Sequence, residues 1–349
     1  MFLHSLAHLL VDGVCAAALF GPLRGRIDPS QLFLLYNTLA FSTQCLVGLA
    51  ADRIKRHRLS AAAAALCVAA GFALPLLPLL RLLLVGLGNS VFHVAAGTET
   101  LERSGGRAAP LGVFVAPGAV GLSLGTLFPA LGPVLAGLLA LAAIASLFLK
   151  EKESGPADWL AQIDLRTNLP DPVRQEAPLR RPLAAAVLLT LAVGVRAVGG
   201  AAVSFPWQTG PWLALLTTGF VFAGKTAGGF LCDRVGPRRA AWLSVPPAAL
   251  LIAFCGSWML PALLGQFALN LTMPVTLWLL YRALPESPGF AFGLAASALW
   301  PGTLAGKYIQ LSGPARWILL LLCFLFGLFA ILYSAPRRDA ASSARGKAR

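Results

Sequence analysis

Gly48-Leu-Ala-Ala-Asp52-Arg53-Ile-Lys55-Arg56-His-Arg58 and Gly229-Phe-Leu-Cys-Asp233-Arg234-Val-Gly236-Pro-Arg238-Arg239 carry one pattern. In each, a glycine is followed four positions on by an aspartate, then an arginine, then a basic cluster. From Asp52 to Asp233 is 181 positions, and Pro117-Gly118 returns as Pro301-Gly302 after 184. Two unrelated landmarks at nearly one spacing point to duplication of a unit about half the chain long. Each patterned stretch closes a long apolar run and precedes another, so the duplicated unit is built of apolar segments.

Such runs occur at about 1–21, 30–50, 59–80, 82–101, 109–129, 131–149, 183–205, 211–231, 240–258, 260–281, 289–310 and 315–334. Hydrophobic residues make up 57% of the 349 residues, charged residues 12%, and mean hydropathy is +0.75. That leaves too little polar surface to coat a soluble globule. A helix of roughly 20 apolar residues crosses about 30 Å of hydrocarbon, so twelve crossings would use about 240 residues. Runs this long without strand-like alternation satisfy their backbone amides as helices rather than barrel strands. The expected fold class is therefore an all-α membrane protein of twelve transmembrane helices in two pseudo-symmetric six-helix bundles. Its expected parts are an N-terminal bundle over 1–149, a linker over 150–181 in which six acidic and six basic residues mix with prolines, a C-terminal bundle over 182–335 and a basic tail over 336–349. The first run has no basic stretch before it and no small-residue cleavage site, and reads as a retained helix.

The net charge of +14 would suit a nucleic-acid binder, but its placement indicates topology instead. With both termini cytoplasmic, 21 of the 28 lysines and arginines fall in inner loops, the linker or the tail, against four outside, Arg24, Arg26, Arg81 and Arg316. This is the positive-inside pattern of a multi-pass protein of the cell membrane, with the lipid bilayer and not nucleic acid as its surroundings. The six cysteines stand singly in or beside apolar runs, which argues against a disulfide framework or a zinc site. No acidic repeat and no nucleophile beside a base suggests a membrane enzyme. No cofactor and no metal are expected.

The doubled Gly-x-x-x-Asp-Arg-x-Gly-x-Arg-Arg loop resembles the signature loop of the major facilitator superfamily, with Lys55 in place of the first copy's second glycine. The strings His8-Leu-Leu-Val-Asp12 and Phe92-His93-Val-Ala-Ala-Gly97 resemble the fosmidomycin-resistance branch, which exports drugs. The resemblance implies a secondary active transporter, monomeric, moving a small organic solute by alternating access. It also implies that helices 1, 4, 7 and 10 line a central cavity, with Asp12, His93 and Arg196 facing it. A transporter-like sensor or assembly factor is the alternative.

Charges inside apolar runs are the sharpest functional signal, because one at mid-bilayer costs about 2.5 to 3.5 kcal/mol. Asp12 lies near mid-depth of the first run and shares a helical face with His8 and His4, each four positions apart. Asp12 with His8 reads as a proton-coupling site or as a buried carboxylate paired with a cation, and His4 as interfacial. Arg196 stands 184 positions after Asp12, making it the approximate symmetry mate. It reads as a binder of an anionic substrate group or as counter-ion to Asp12. Lys225 reads as a cavity residue or a snorkelling one, and Lys307 as snorkelling. His93 beside Asn89, together with Asn270, Thr276 and Gln44, would add hydrogen bonds to a substrate or between helices. At the repeated loops Gly48, Asp52, Arg53, Arg56, Gly229, Asp233, Arg234, Gly236 and Arg238 read as a conformational latch, the carboxylates pairing with cations or facing helix N-termini; ordinary interfacial charge is the other reading.

Overall fold

The computed structural model describes residues 2–148, 179, 181–309 and 311–336. The expected linker and tail lie almost entirely outside the described residues. Apart from one isolated bridge between Arg24 and Ile27, the regular structure there is helical. Each apolar run of the sequence folds as helix: α1 (Phe2–Phe20), α2 (Pro29–Ile54), α3 (His57–Ala73), α4 (Pro78–Glu102), α5 (Ala109–Leu127), α6 (Pro129–Phe148), α7 (Pro182–Ala202), α8 (Gly210–Val235), α9 (Pro237–Cys255), α10 (Met259–Ala283), α11 (Pro288–Tyr308) and α12 (Gly313–Ser334). Nine of the described helices are long and apolar enough to cross a membrane, while α3 is shorter and α9 and α11 are more polar. Large apolar side chains stand exposed on the outside, among them Phe148 at 80% and Trp212 at 75%. Hydrocarbon, not water, is the medium that accepts such a surface. The chain is a multi-pass integral membrane protein.

Local chemistry sets the helix ends. Proline stands in the first turn of α2, α4, α7, α9 and α11, where a missing N–H leaves nothing unpaired. Asp28 caps α2 by accepting from the backbone N–H groups of Ser30 and Gln31 at 3.0 and 3.1 Å. Those bonds, with the Ser30 hydroxyl first among them, hold its carboxyl below the ordinary value.

Two helices are interrupted at mid-height. In α2 a π-helical turn, Thr38–Ser42, separates Pro29–Asn37 from Gln44–Ile54. In α10 a break at Leu271 separates Met259–Asn270 from Thr272–Ala283. The π turn frees backbone groups that must be satisfied away from water. Ser297 of α11 does this, its hydroxyl donating to Phe41 O at 3.0 Å and accepting from Cys45 N–H at 2.9 Å.

Small residues bring paired helices into backbone contact, as packing within lipid requires. Gly121 and Gly125 of α5 lie on the Leu9 and Gly13 carbonyls of α1, and Gly302 and Gly306 of α11 lie on the Gly194 and Val198 carbonyls of α7. The duplication seen in sequence is thus a duplication of packing.

The repeated loops turn differently. Lys55 adopts φ 52° and ψ 27°, left-handed helical, and Arg56 then opens α3; Gly236 adopts φ 82° and ψ 160°, a region essentially closed to other residues. Lys55 thus gives the first turn a different form from the second. Gly236→Ala is therefore expected to destabilise by about 1 to 3 kcal/mol. Lys55→Gly should change stability by no more than about 0.5 kcal/mol, since relief of left-handed strain is offset by a more flexible unfolded chain. Melting of the detergent-solubilised variants, followed by tryptophan fluorescence, checks the contrast.

Candidate functional site

Contacts between α1–α6 and α7–α12 flank a central cavity on both sides. At the end carrying the repeated loops, Asp52 of α2 accepts from Gly289 N–H and Phe290 N–H at 2.7 and 2.9 Å. Asp233 of α8 accepts from Ala108 N–H and Ala109 N–H at 2.7 and 2.9 Å. Each carboxylate thus seats on the N-terminus of a helix in the opposite half, α11 or α5, where unpaired N–H groups and the helix dipole favour an anion. Glycines make the approach possible. A Cβ on Gly289 would fall 2.7 Å from Gly48 O and 2.8 Å from Asp52 Oδ1, and one on Gly229 would fall 2.6 Å from Ala108 O. Of the two options in the sequence, the helix N-terminus is the one both carboxylates take up through paired backbone N–H groups. The Arg53, Arg56 and Arg234 side chains make no hydrogen bond or ion pair among the described residues. Arg238 anchors α9 to the end of α12, donating to Leu332 O at 2.8 Å. Trp278 Nε1–H, donating to Gly106 O at 2.7 Å, adds a further link at this end.

At the other end, Trp300 Nε1–H donates to Thr38 Oγ1 at 3.2 Å, and the Ser123 and Thr218 hydroxyls meet at 2.6 Å. Lys307 does not reach away from the protein; its ammonium lies 3.3 Å from the centre of the Phe33 ring, joining α11 to α2.

Between these layers lies a cavity of about 370 Å³. Asp12, His8 and His93 line it from one half and Arg196 and Lys225 from the other, with Gln44 and Thr276 adding polar groups to a mainly apolar wall. Helix geometry explains the level: Asp12 stands ten residues into α1, about 15 Å along its axis at 1.5 Å per residue. The π turn of α2 and the break in α10 lie just before Gln44 and Thr276 in sequence, so irregular backbone occurs where it borders a cavity.

His8, Asp12 and His93 form one hydrogen-bonded cluster. His8 Nε2 lies 3.3 Å from Asp12 Oδ2, His93 Nε2 lies 3.3 Å from Asp12 Oδ1, and the two Nε2 atoms are 2.8 Å apart. Asn89 Nδ2 donates to Asp12 Oδ1 at 3.2 Å from behind. Each imidazole turns its other nitrogen to a backbone carbonyl, His8 Nδ1 to Phe114 O at 2.8 Å and His93 Nδ1 to Asn89 O at 2.9 Å. A carbonyl only accepts, so both Nδ1 atoms carry hydrogen, and in two neutral rings both Nε2 atoms would be bare lone pairs. Two lone pairs 2.8 Å apart repel unless a cation lies between them. One proton shared between the rings, balanced by the Asp12 carboxylate, gives a neutral cluster. The three side chains are also of metal-ligating type, with ligand atoms within 4.8 Å of one another. Yet two nitrogens at about 2.0 to 2.1 Å from a tetrahedral zinc would stand about 3.3 Å apart, and the observed 2.8 Å suits a proton better.

The remaining candidates separate. Gln44 donates through Nε2 to Ala40 O at 2.7 Å, leaving its buried Oε1 without a partner. Thr276 Oγ1 donates to Thr272 O at 2.9 Å. Asn89 is buried behind Asp12 and does not itself line the cavity. Asn270 is a correction: its amide donates to Gln266 O at 2.8 Å, and it is not among the cavity residues. His4, two residues into α1, is buried 3.5 Å from Glu99 of α4, which also meets Arg103 at 2.9 Å. Glu99 escapes the sequence reading because it stands at the end of its apolar run, where charges are ordinary.

A helical bundle with a cavity at mid-height between α1–α6 and α7–α12, and helix N-termini met by Asp52 and Asp233 at one end, defines the class: the chain has the fold of the major facilitator superfamily transporters. A variant of the E. coli fucose:proton symporter FucP matches with a TM-score of 0.66 at 12% identity, over 96% of this chain and 98% of that one. A second FucP structure, described as a major facilitator superfamily transporter in the outward conformation, gives 0.64 at 14% identity over the same shares. No family model and no curated protein sequence matches the chain.

Proposed function

We propose that this protein is a secondary active transporter that moves a small organic solute by alternating access and couples it to protons through His8, Asp12 and His93. In this reading residues 1–149 and 182–335 are rocking halves joined by 150–181, set as a monomer in the cell membrane with both ends cytoplasmic. The observation that carries the coupling is the Nε2–Nε2 contact of 2.8 Å beside Asp12, which needs one proton to exist. With that proton the cluster is neutral; without it Asp12 is an uncompensated anion facing Arg196 and Lys225 across the cavity. Protonation therefore changes the attraction between the halves, which is what a coupling ion must do. The strings shared with the fosmidomycin-resistance branch favour export. The charge balance of the cavity favours a proton and solute moving together, and we adopt the latter.

The test is a compound screen on proteoliposomes with a pH-sensitive dye inside. At least one compound should evoke lumenal acidification in wild type, and the signal should vanish in Asp12→Asn. Transport of every hit at a rate indifferent to the pH gradient would exclude proton coupling.

A further inference from the structure

We infer that the cavity takes a small organic anion with an apolar body, its acidic group bound between Arg196 and Lys225. This rests on the transporter reading and adds the substrate class to it. Both cations line the cavity, and neither side chain has a hydrogen bond or ion pair among the described residues. The one carboxylate facing them is already engaged, its Oδ2 by His8 and its Oδ1 by His93 and Asn89, so Asp12 is not the direct counter-ion of Arg196. Lys225 lies within electrostatic range of both Arg196, which repels it, and Asp12, which attracts it less strongly, so the two cations favour an anion between them. A cation away from water is seldom kept without a partner or a use. Because no described residue gives either cation a hydrogen bond or ion pair, a ligand with one acidic group suits the pair, and a guanidinium with an ammonium accepts a carboxylate, phosphonate or sulfonate alike.

The rest of the wall sets the body of that ligand. Phe41, Val115, Leu122, Val193, Phe292 and Leu299 line the same cavity, and its volume of about 370 Å³ suits a molecule of drug-like size or smaller. A polyhydroxylated solute would press most of its hydroxyls against apolar side chains without partners. The buried, unpartnered Gln44 Oε1 leaves one acceptor for a single donor on the ligand.

The experiment uses the detergent-purified full chain and a panel of aliphatic, aromatic and phosphonic acids of graded size, each paired with its uncharged amide. Binding is read by thermal shift and calorimetry. At least one acid should bind ten-fold or more tightly than its amide. That preference should fall at least ten-fold in Arg196→Gln and in Lys225→Met and be partly kept in Arg196→Lys, which also guards against a misfolded glutamine variant. An absence of acid preference across the panel, or its survival in the double variant, overturns the inference. Proton uptake on a pH jump is followed on the same preparations. Uptake without acid preference would sink the anion alone, and acid preference without uptake would sink the coupling and leave the anion standing.

Discussion

Asp12→Asn is expected to lower pH-gradient-driven accumulation of the substrate by about 10- to 100-fold, the range of a typical coupling between two sites, while substrate exchange without a gradient continues. The asparagine keeps the shape of the carboxylate but removes the charge that balances the proton shared by His8 and His93. With Arg196 and Lys225 facing the same space, the protonated cluster would then add a third uncompensated cation, so the proton leaves and stays away. Parallel measurements of gradient-driven uptake and of counterflow in one set of proteoliposomes separate the two outcomes. Equal loss in both would mean that Asp12 supports the fold or the binding of substrate rather than coupling.

The second large effect concerns the latch. Asp52 and Asp233 each take two backbone N–H groups from a helix of the opposite half. A carboxylate at a helix N-terminus is worth up to about 2 kcal/mol in a partly buried site. Replacing both by asparagine should therefore favour opening of that end by about 2 to 4 kcal/mol, on the order of 30- to 1,000-fold in population. Ligand affinity in the cavity, some distance from the latch, should change only through that shift. A cysteine at Ala108, a buried residue whose backbone meets Asp233 of the opposite half, reports the opening by its labelling rate. An unchanged rate in the double variant, with the fold intact, would reduce both aspartates to ordinary interfacial charges.

Much of this architecture is legible in the sequence because membranes make the relevant signals loud. Apolar runs mark the helices, and the repeat of Asp52 at Asp233 marks the two halves. Asp12, Arg196 and Lys225 stand out because a charge is rare in such runs. What stays hidden is whatever depends on long-range partners or on backbone without punctuation. No proline or glycine marks the π turn at Thr38–Ser42, and the Ser297 that satisfies it is more than 250 residues away. Sequence offers Asp52 an arginine next door, whereas the structure gives it the N-terminus of α11. Asn270 carries the same polar signal as Thr276, yet a local bond to Gln266 turns its amide to its own helix. The pairing of His4 with Glu99 joins α1 to α4, and nothing in either run announces the other.

Nitrogen-15 magnetic resonance of histidine-labelled protein in lipid reads the shared proton itself, since the chain has only four histidines to resolve. Hydrogen is expected on both Nδ1 atoms of His8 and His93, with a measurable coupling between their Nε2 atoms through one shared proton that is absent in His93→Gln. Two neutral rings with bare, uncoupled Nε2 atoms at the pH where transport runs would contradict it.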